Sequence, residues 1–170
     1  MIIKGETMKK LLLICYFLIA SMIIPSLATA NEHAVGGALG LTKGAGFTYR
    51  NINFETGIGY QLTGLPVIRP NEGFVTLGVS ALYVLNRGDH GIAYFSLGAG
   101  AVRSWNNCED GEYCEEEDMS GCAFGPGLGF EFRFWKNFGI SWELPLAIVY
   151  QNNKFEGIYP VPNSSLVYFW

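Results

Sequence analysis

Large apolar side chains occupy every second position over much of the chain after residue 31. The stretch GLGFEFRFW, Gly127 to Trp135, places Leu128, Phe130, Phe132 and Phe134 on one side, and Gly127, Gly129, Glu131 and Arg133 on the other. The stretch from Phe138 to Tyr150 repeats this alternation. A period of two is that of a β-strand, whose successive side chains point to opposite faces of a sheet.

Period-two stretches of this kind recur along the chain between turn residues, and no helical period of useful length follows residue 31. We therefore predict an all-β protein with eight antiparallel strands. The predicted ranges are 33–41, 45–51, 54–62, 74–85, 91–105, 123–134, 138–150 and 165–170.

The two faces of these strands differ in size as well as polarity. One face is bulky and apolar, whereas the other is dominated by glycine, serine and a few charges. A soluble barrel or sandwich would bury the apolar face. A transmembrane barrel inverts this arrangement, with large apolar side chains toward lipid and a crowded interior between eight strands. The glycine-rich polar face favours the inverted barrel, and the soluble barrel is the alternative.

The composition agrees with one domain and limits the possible partners. The chain has 170 residues, 22 of them glycine, with 15% aromatic residues and a net charge of −4. Its charged fraction of 15% is low for a soluble domain, where about 25% is usual. A negative net charge argues against a nucleic-acid partner.

The first thirty residues have the organisation of a secretory signal peptide. Lys9 and Lys10 precede an apolar stretch from Leu11 to Leu27, and the small residues Ala28-Thr29-Ala30 follow. We predict that residues 1–30 are removed and that residues 31–170 form the barrel. No later apolar stretch is long enough for a transmembrane helix.

Charged residues on the small-residue face would point into the barrel, where they require partners. If Asn51 opposes Phe54 across a tight turn, Arg50 falls opposite Glu55, and if Phe134 opposes Phe138, Glu131 falls opposite Ser141. We predict a lumenal polar network; the alternative is ordinary exposed charge on a soluble sheet. The network comprises Arg50, Glu55, Glu131, Arg133 and Glu143.

The predicted connections alternate in length. Those expected on one side, at 52–53, 86–90 and 135–137, are short, whereas three of the four on the other side, 63–73, 106–122 and 151–164, are long and the fourth, 42–44, is short. Short inner turns and longer external loops are typical of bacterial outer-membrane barrels.

The chain resembles the small eight-stranded bacterial outer-membrane barrels of the OmpA/OmpX type and their opacity-like relatives. The resemblance rests on the signal peptide, alternating strands such as GLGFEFRFW and FGISWELPLAIVY, and the aromatic finish LVYFW. It implies an up-and-down transmembrane barrel, monomeric, in the bacterial outer membrane with both termini periplasmic. It also implies contact with outer-membrane lipid and lipopolysaccharide, and recognition of terminal Trp170 by the barrel assembly machinery. Pro126 and Pro145 depart from the strand pattern and predict a local kink or bulge.

The segment from Asn106 to Cys122 is acidic and contains three cysteines. A disulfide between Cys108 and Cys122 would close about 15 residues and contribute roughly 3 kcal/mol in the chain-entropy model. Cys108–Cys114 is the alternative pairing. We predict a solvated acidic loop, bridged diffusely to lipopolysaccharide by divalent cations, and no defined metal site. Its acids are Glu109, Asp110, Glu112, Glu115, Glu116, Glu117 and Asp118.

Catalytic residues are scarce, because the chain has only two histidines, His33 and His90, and both fall on the inner side of the predicted topology. We therefore predict a protein without enzymatic activity or cofactor, whose surface loops serve envelope integrity, adhesion or surface interaction. A narrow pore or a conduit for small apolar molecules is the first alternative. A lipid A-modifying enzyme on the same fold is the second.

Overall fold

Nine antiparallel β-strands make up the part of the chain that the structure describes. In this computed structural model the described residues are 31–69, 72–106, 119–135, 137–152 and 154–170, so the predicted signal peptide lies outside them. None of the described segments forms a helix of the length and apolarity needed to span a bilayer. The strands are β1 (Asn31–Leu39), β2 (Gly46–Asn53), β3 (Ile58–Ile68), β4 (Glu72–Gly88), β5 (Gly91–Asn106), β6 (Met119–Phe134), β7 (Phe138–Gln151), β8 (Lys154–Pro160) and β9 (Asn163–Phe169).

The sheet closes on itself as an eight-stranded barrel. Each strand from β1 to β7 pairs with its neighbour in sequence, and β9 pairs with both β1 and β7. Strands β8 and β9 share one position in the wall, because β9 pairs with the first half of β7 and β8 with the second half. The predicted fold class, an eight-stranded antiparallel barrel, is confirmed.

The barrel has two different ends. We call the end that carries the start of β1 and Trp170 the termini end, and the opposite end, where β5 and β6 connect through residues 107–118, the loop end. The connection 107–118 lies outside the described residues.

The apolar face of each strand points outward, as predicted. Phe130, Trp142 and Leu97 are 54%, 52% and 56% exposed, whereas Glu131 is completely buried. Among the described residues, 29 large hydrophobic side chains are exposed and only ten hydrophobic residues are buried. A soluble domain places its large apolar residues inside, so the soluble alternative is wrong for this fold.

The β6–β7 hairpin has the predicted register. Phe134 pairs with Phe138, Phe130 with Trp142, and Glu131 with Ser141. The paired ladder is interrupted between Gly127↔Pro145 and Phe124↔Ile148, but the register is the same on both sides. The two prolines therefore interrupt hydrogen bonding between β6 and β7 without the insertion of a bulge.

The β2–β3 turn lies later than predicted, at residues 54–57. The Asn53 side-chain oxygen accepts hydrogen bonds from the backbone N–H groups of Glu55 and Thr56, at 2.9 and 3.0 Å, and Gly57 has φ +72°. An asparagine that caps its own turn favours this local geometry over continued pairing. Arg50 consequently pairs with Gln61, and Glu55 is exposed in the turn. The prediction that Glu55 belongs to the lumenal network is wrong.

Two connections at the loop end are shorter than predicted. β3 continues to Ile68 and β4 begins at Glu72, with Pro66 paired to Val75. Pro66 is tolerated because β2 pairs with β3 only as far as Gly64, which leaves the other side of Pro66 without a strand to bond. The predicted connection 151–164 contains β8, which folds back along β7.

Candidate functional site: the barrel interior

A buried carboxylate, Glu131, organises the interior toward the termini end. Its Oε1 accepts a hydrogen bond from Arg133 Nε at 3.0 Å, and its Oε2 forms an ion pair with the guanidinium of Arg50. Arg133 also donates to both carboxylate oxygens of Glu32, at 2.7 and 2.5 Å. Such two-pronged arginine–carboxylate contacts are strong and fix the geometry of both partners.

A second buried carboxylate, Glu143, lies farther toward the loop end. The Tyr94 hydroxyl donates to its Oε1 at 2.8 Å, and the Ser96 hydroxyl lies 3.4 Å from its Oε2. Lys43 Nζ forms an ion pair with the same carboxylate, and both side chains are at most 2% exposed. A charge buried to this degree is stable only when it is paired and hydrogen-bonded.

These two groups of side chains balance their charges. The interior cations are Lys43, Arg50 and Arg133, and the interior anions are Glu32, Glu131 and Glu143. The sequence predicted four of these six positions and missed Glu32 and Lys43. The inner alternation of β1, which places Glu32 on the same side as Ala34, was a usable signal. Nothing in the alternation pointed to Lys43, because it lies in a turn.

The turn between β1 and β2, residues 40–45, lies inside the barrel. Thr42 and Lys43 are buried, and the Asn163 side-chain amide donates to the Thr42 hydroxyl at 2.7 Å. The Ala45 N–H donates to the Thr76 hydroxyl at 3.1 Å. These contacts hold the turn in its middle and at the end that leads into β2.

The backbone of this turn packs directly against three inward-facing glycines of β4 and β5. A Cβ at Gly98 would lie 2.8 Å from the Thr42 carbonyl oxygen, and a Cβ at Gly78 or Gly100 would overlap the turn backbone even more closely. These glycines therefore permit a close backbone approach, which is one of the recognised uses of glycine in a strand. The glycine-rich inner face reflects an interior filled partly by the chain itself.

Phe54 lies inside the barrel, although the predicted third strand, 54–62, would have placed its bulky apolar residues toward lipid. It packs against the buried apolar cluster of Ile52, Leu82, Ile92 and Tyr94. The guanidinium of Arg87 lies 4.1 Å from the centre of its ring, and that of Arg133 lies 5.6 Å away. The displaced turn explains the error, because Phe54 starts the turn instead of a strand.

Aromatic clusters mark both ends of the outer surface along β6 and β7. Near the termini end, Phe134, Trp135 and Phe138 contact one another, and near the loop end Phe124 stacks on Tyr150. Phe124 and Phe134 are ten positions apart on β6, which corresponds to roughly 33 Å of strand and about 25 Å along the axis of a barrel with the usual tilt. The outer surface between the two clusters is apolar.

The remaining predicted residues are not assembled into a site. The His33 ring bonds to the Tyr49 hydroxyl at 2.9 Å and to Asn51 at 3.1 Å, and His90 is exposed in the β4–β5 turn. Across the described residues, neither ring bonds to a serine or a carboxylate and no group of metal-binding side chains occurs. Cys122 is exposed, whereas Cys108 and all seven acids of the predicted loop lie outside the described residues. The disulfide and the acidic loop stay predictions.

Solved structures contain the same architecture. The N-terminal β-barrel domain of Pseudomonas aeruginosa OprF is similar with a TM-score of 0.50 and 16% identity, covering 82% of this chain and 96% of that one. The chain has the fold of the small eight-stranded outer-membrane barrels. The crystal structure of Ail, the attachment invasion locus protein of Yersinia pestis, gives a TM-score of 0.45 with 18% identity, over 84% of this chain and 100% of that one. Neither a protein-family model nor a curated protein matches the sequence.

The part of the interior that holds the buried charges has little free space. Eight strands leave a barrel just wide enough for side chains to fill. In this barrel six charged side chains and an inward-folded turn occupy that space. The arrangement is suited to holding a rigid wall together, and it offers no continuous wide channel through the described part of the barrel.

Proposed function

We propose that the protein is a non-catalytic barrel of the bacterial outer membrane. The observation that supports this most directly is the apolar outer belt: 29 large hydrophobic side chains of the described residues are exposed, most of them on the outer faces of the strands. The estimated height of about 25 Å between its aromatic clusters equals that of the apolar band on outer-membrane barrels. Exposure of so much apolar surface to water would cause aggregation, so lipid is the solvent that fits this surface.

The proposed orientation places both termini in the periplasm and the loop end outside the cell. The loop end carries the acidic connection 107–118, which would face lipopolysaccharide and divalent cations. Trp170 and Tyr168 are both exposed at the termini end, where the barrel assembly machinery would meet them. The surface of the loop end would then serve adhesion or envelope integrity, with the barrel acting as a monomeric anchor.

Fractionation tests the membrane assignment. The protein should appear in the outer-membrane fraction and change its mobility on a gel after boiling, because a folded barrel resists unfolding by detergent until it is heated. A soluble periplasmic protein without a heat-dependent shift would contradict the proposal. Removal of Trp170 should lower the amount assembled in the membrane without changing the amount synthesised.

Labelling of intact cells tests the orientation. An epitope inserted into the segment 107–118 should bind an antibody that cannot cross the outer membrane, whereas an epitope after Trp170 should bind only after the cells are opened. The reverse result would invert the proposed topology while leaving the barrel assignment intact.

A further inference from the structure

A cavity of about 500 Å³ lies inside the barrel near the loop end. Inward-facing apolar side chains from four strands line it, among them Phe74, Val102, Ala123 and Val149, and the inward-folded turn contributes Leu41. No lysine, arginine, aspartate or glutamate of the described residues lines this cavity. Its volume falls within the roughly 300–1,000 Å³ that is usual for ligand pockets.

The barrel wall has a lateral gap at the level of this cavity. On the side toward the loop end, β1 pairs with β9 only as far as Leu39, and β2 pairs with β3 only as far as Gly64. Closer to the loop end, the edge of β8 and residues 65–68 of β3 face each other without a strand between them among the described residues. Two strand positions are vacant there, which leaves about 14 Å between strand axes at the usual spacing.

The cavity and the lateral gap adjoin each other. Leu39 is the last residue of β1, Val161 and Pro162 come just before β9 begins, and all three line the cavity. Outside the gap the surface is apolar on both sides, since Ile68 is 72% exposed and Ile158 is 60% exposed. The solvent that surrounds the apolar outer belt therefore also reaches the gap.

We propose that this cavity binds one unbranched alkyl chain, which enters sideways from the membrane through the lateral gap. This inference rests on the proposed membrane location. The lining is mainly apolar, with Thr76 and Gln151 as its polar side chains besides Tyr150, and a mainly apolar cavity is a good site for apolar ligands. The absence of charged side chains among the described lining residues means that a polar head group would find no ion pair inside. The alkyl chain enters the cavity, and the head group stays at the gap.

Gly121 lies on the inner face of β6 and lines the cavity, where it adds no side chain to fill the space. Ala123, which is buried on the same face of β6, provides the best position to fill the cavity with a larger side chain. Ala99 on β5 faces outward and is exposed, so the same substitution there adds equal volume outside the barrel and serves as the matched control.

Nuclear Overhauser effects between methyl groups and alkyl protons test the proposal. Deuterated protein with protonated carbon-13 methyl groups on alanine and valine is placed in nanodiscs in two arms. The first arm contains chain-deuterated phospholipid and protonated dodecan-1-ol, and the second contains phospholipid with protonated chains and no alcohol. We expect effects at Val102, Ala123 and Val149 in at least one arm. An effect in the first arm identifies a free single-chain molecule as the occupant, and an effect in the second identifies a lipid chain.

Internal controls separate this proposal from the membrane assignment. Val79 is exposed on the outer face and should contact protonated lipid, whereas Ala34 is buried near the termini end and should contact no alkyl chain in either arm. In Ala123→Phe the effects at Val102 and Val149 should fall at least tenfold, and in Ala99→Phe they should persist.

Two results would overturn the proposal. If Val79 contacts lipid but the lining methyl groups contact only water in both arms, the protein is a membrane barrel whose cavity takes no alkyl chain. If Val79 shows no lipid contact, the membrane assignment itself fails and sideways entry fails with it.

Discussion

Replacement of Gly78 by alanine would test whether the turn 40–45 is held inside the barrel. Gly78 faces inward on β4, and its added methyl group would overlap the carbonyl group of Lys43. Backbone atoms cannot rotate out of the way as the end of a flexible side chain can. The turn must therefore move away from β4, and Lys43 must move with it.

The expected loss of stability follows from the contacts that the turn makes. Separation of Lys43 from Glu143 leaves a buried carboxylate without its cation, which costs about 3–5 kcal/mol. Loss of the hydrogen bonds from Asn163 to Thr42 and from Ala45 to Thr76 adds about 1 kcal/mol each. The free energy of unfolding should fall by about 3–5 kcal/mol, because partial relaxation of the turn retains some of these contacts.

Urea unfolding in lipid vesicles, followed by tryptophan fluorescence, measures this change. A graded set of glycine-to-alanine variants sharpens the test. At Gly98 the added Cβ would lie 2.8 Å from the Thr42 carbonyl oxygen, so the loss should be smaller than at Gly78. At Gly37, which faces outward on β1, the nearest atom would be 3.9 Å away. Gly37→Ala is the matched control and should change stability by less than about 0.5 kcal/mol.

Equal stability of the Gly78, Gly98 and Gly37 variants would refute this reasoning. It would mean that the turn does not lie against β4 and β5 in the folded protein. The inner glycines would then need another explanation, such as space for water.

Three other substitutions or measurements test separate features. Lys43→Met should lower the free energy of unfolding by about 3–5 kcal/mol, and addition of Glu143→Gln should restore much of it, because the buried unpaired charge is removed; no recovery in the same urea assay would contradict a direct pairing. Leu128→Arg, in the middle of the outer belt, should cost about 2–4 kcal/mol in vesicles, whereas Leu85→Arg, nearer the termini end, should cost at most about 1 kcal/mol; equal costs would contradict the placement of the belt. Peptide mapping after thiol alkylation without reductant should label only Cys114 if the predicted Cys108–Cys122 bridge forms, and labelling of Cys122 alone would indicate the Cys108–Cys114 pairing instead.

The parts of the fold that sequence predicts are those with a strong local pattern. In β6 and β7 the alternation of large and small side chains is nearly unbroken, and the three-residue turn leaves one register that keeps Phe130 and Trp142 on the same face. A slip of one residue would move both rows of side chains to the wrong face. The register of this hairpin was therefore predictable from the sequence to the residue.

The β2–β3 turn was not predictable in the same way. The residues from Phe54 to Leu62 carry an apolar alternation, which favoured an early turn and a third strand that begins at Phe54. The capping hydrogen bonds of Asn53 and the left-handed conformation at Gly57 outweigh that pattern. Because the turn was predicted too early, Glu55 was wrongly assigned to the lumenal network and Phe54 was wrongly expected to face lipid.

The inward-folded turn leaves a trace in the sequence only at distant positions. The segment GLTKGA from Gly40 to Ala45 looks like an ordinary external turn. The residues that accommodate the turn are the glycines at positions 78, 98 and 100. Their role can be recognised only when it is known which strands lie opposite the turn in the closed barrel. Long-range contacts of this kind are fixed by the completed barrel, and no local pattern encodes them.

The turn 40–45 links the two features of the interior that would otherwise be independent. On one side Lys43 pairs with Glu143, and on the other Leu41 lines the apolar cavity. A single displacement of the turn therefore breaks an ion pair and removes part of the cavity lining together. Gly78 does not line the cavity, yet Gly78→Ala should abolish the alkyl contacts of Val102 as well as lower stability. If the contacts of Val102 survive in a destabilised Gly78→Ala protein, the cavity does not depend on the turn, and β4 to β7 alone must shape it.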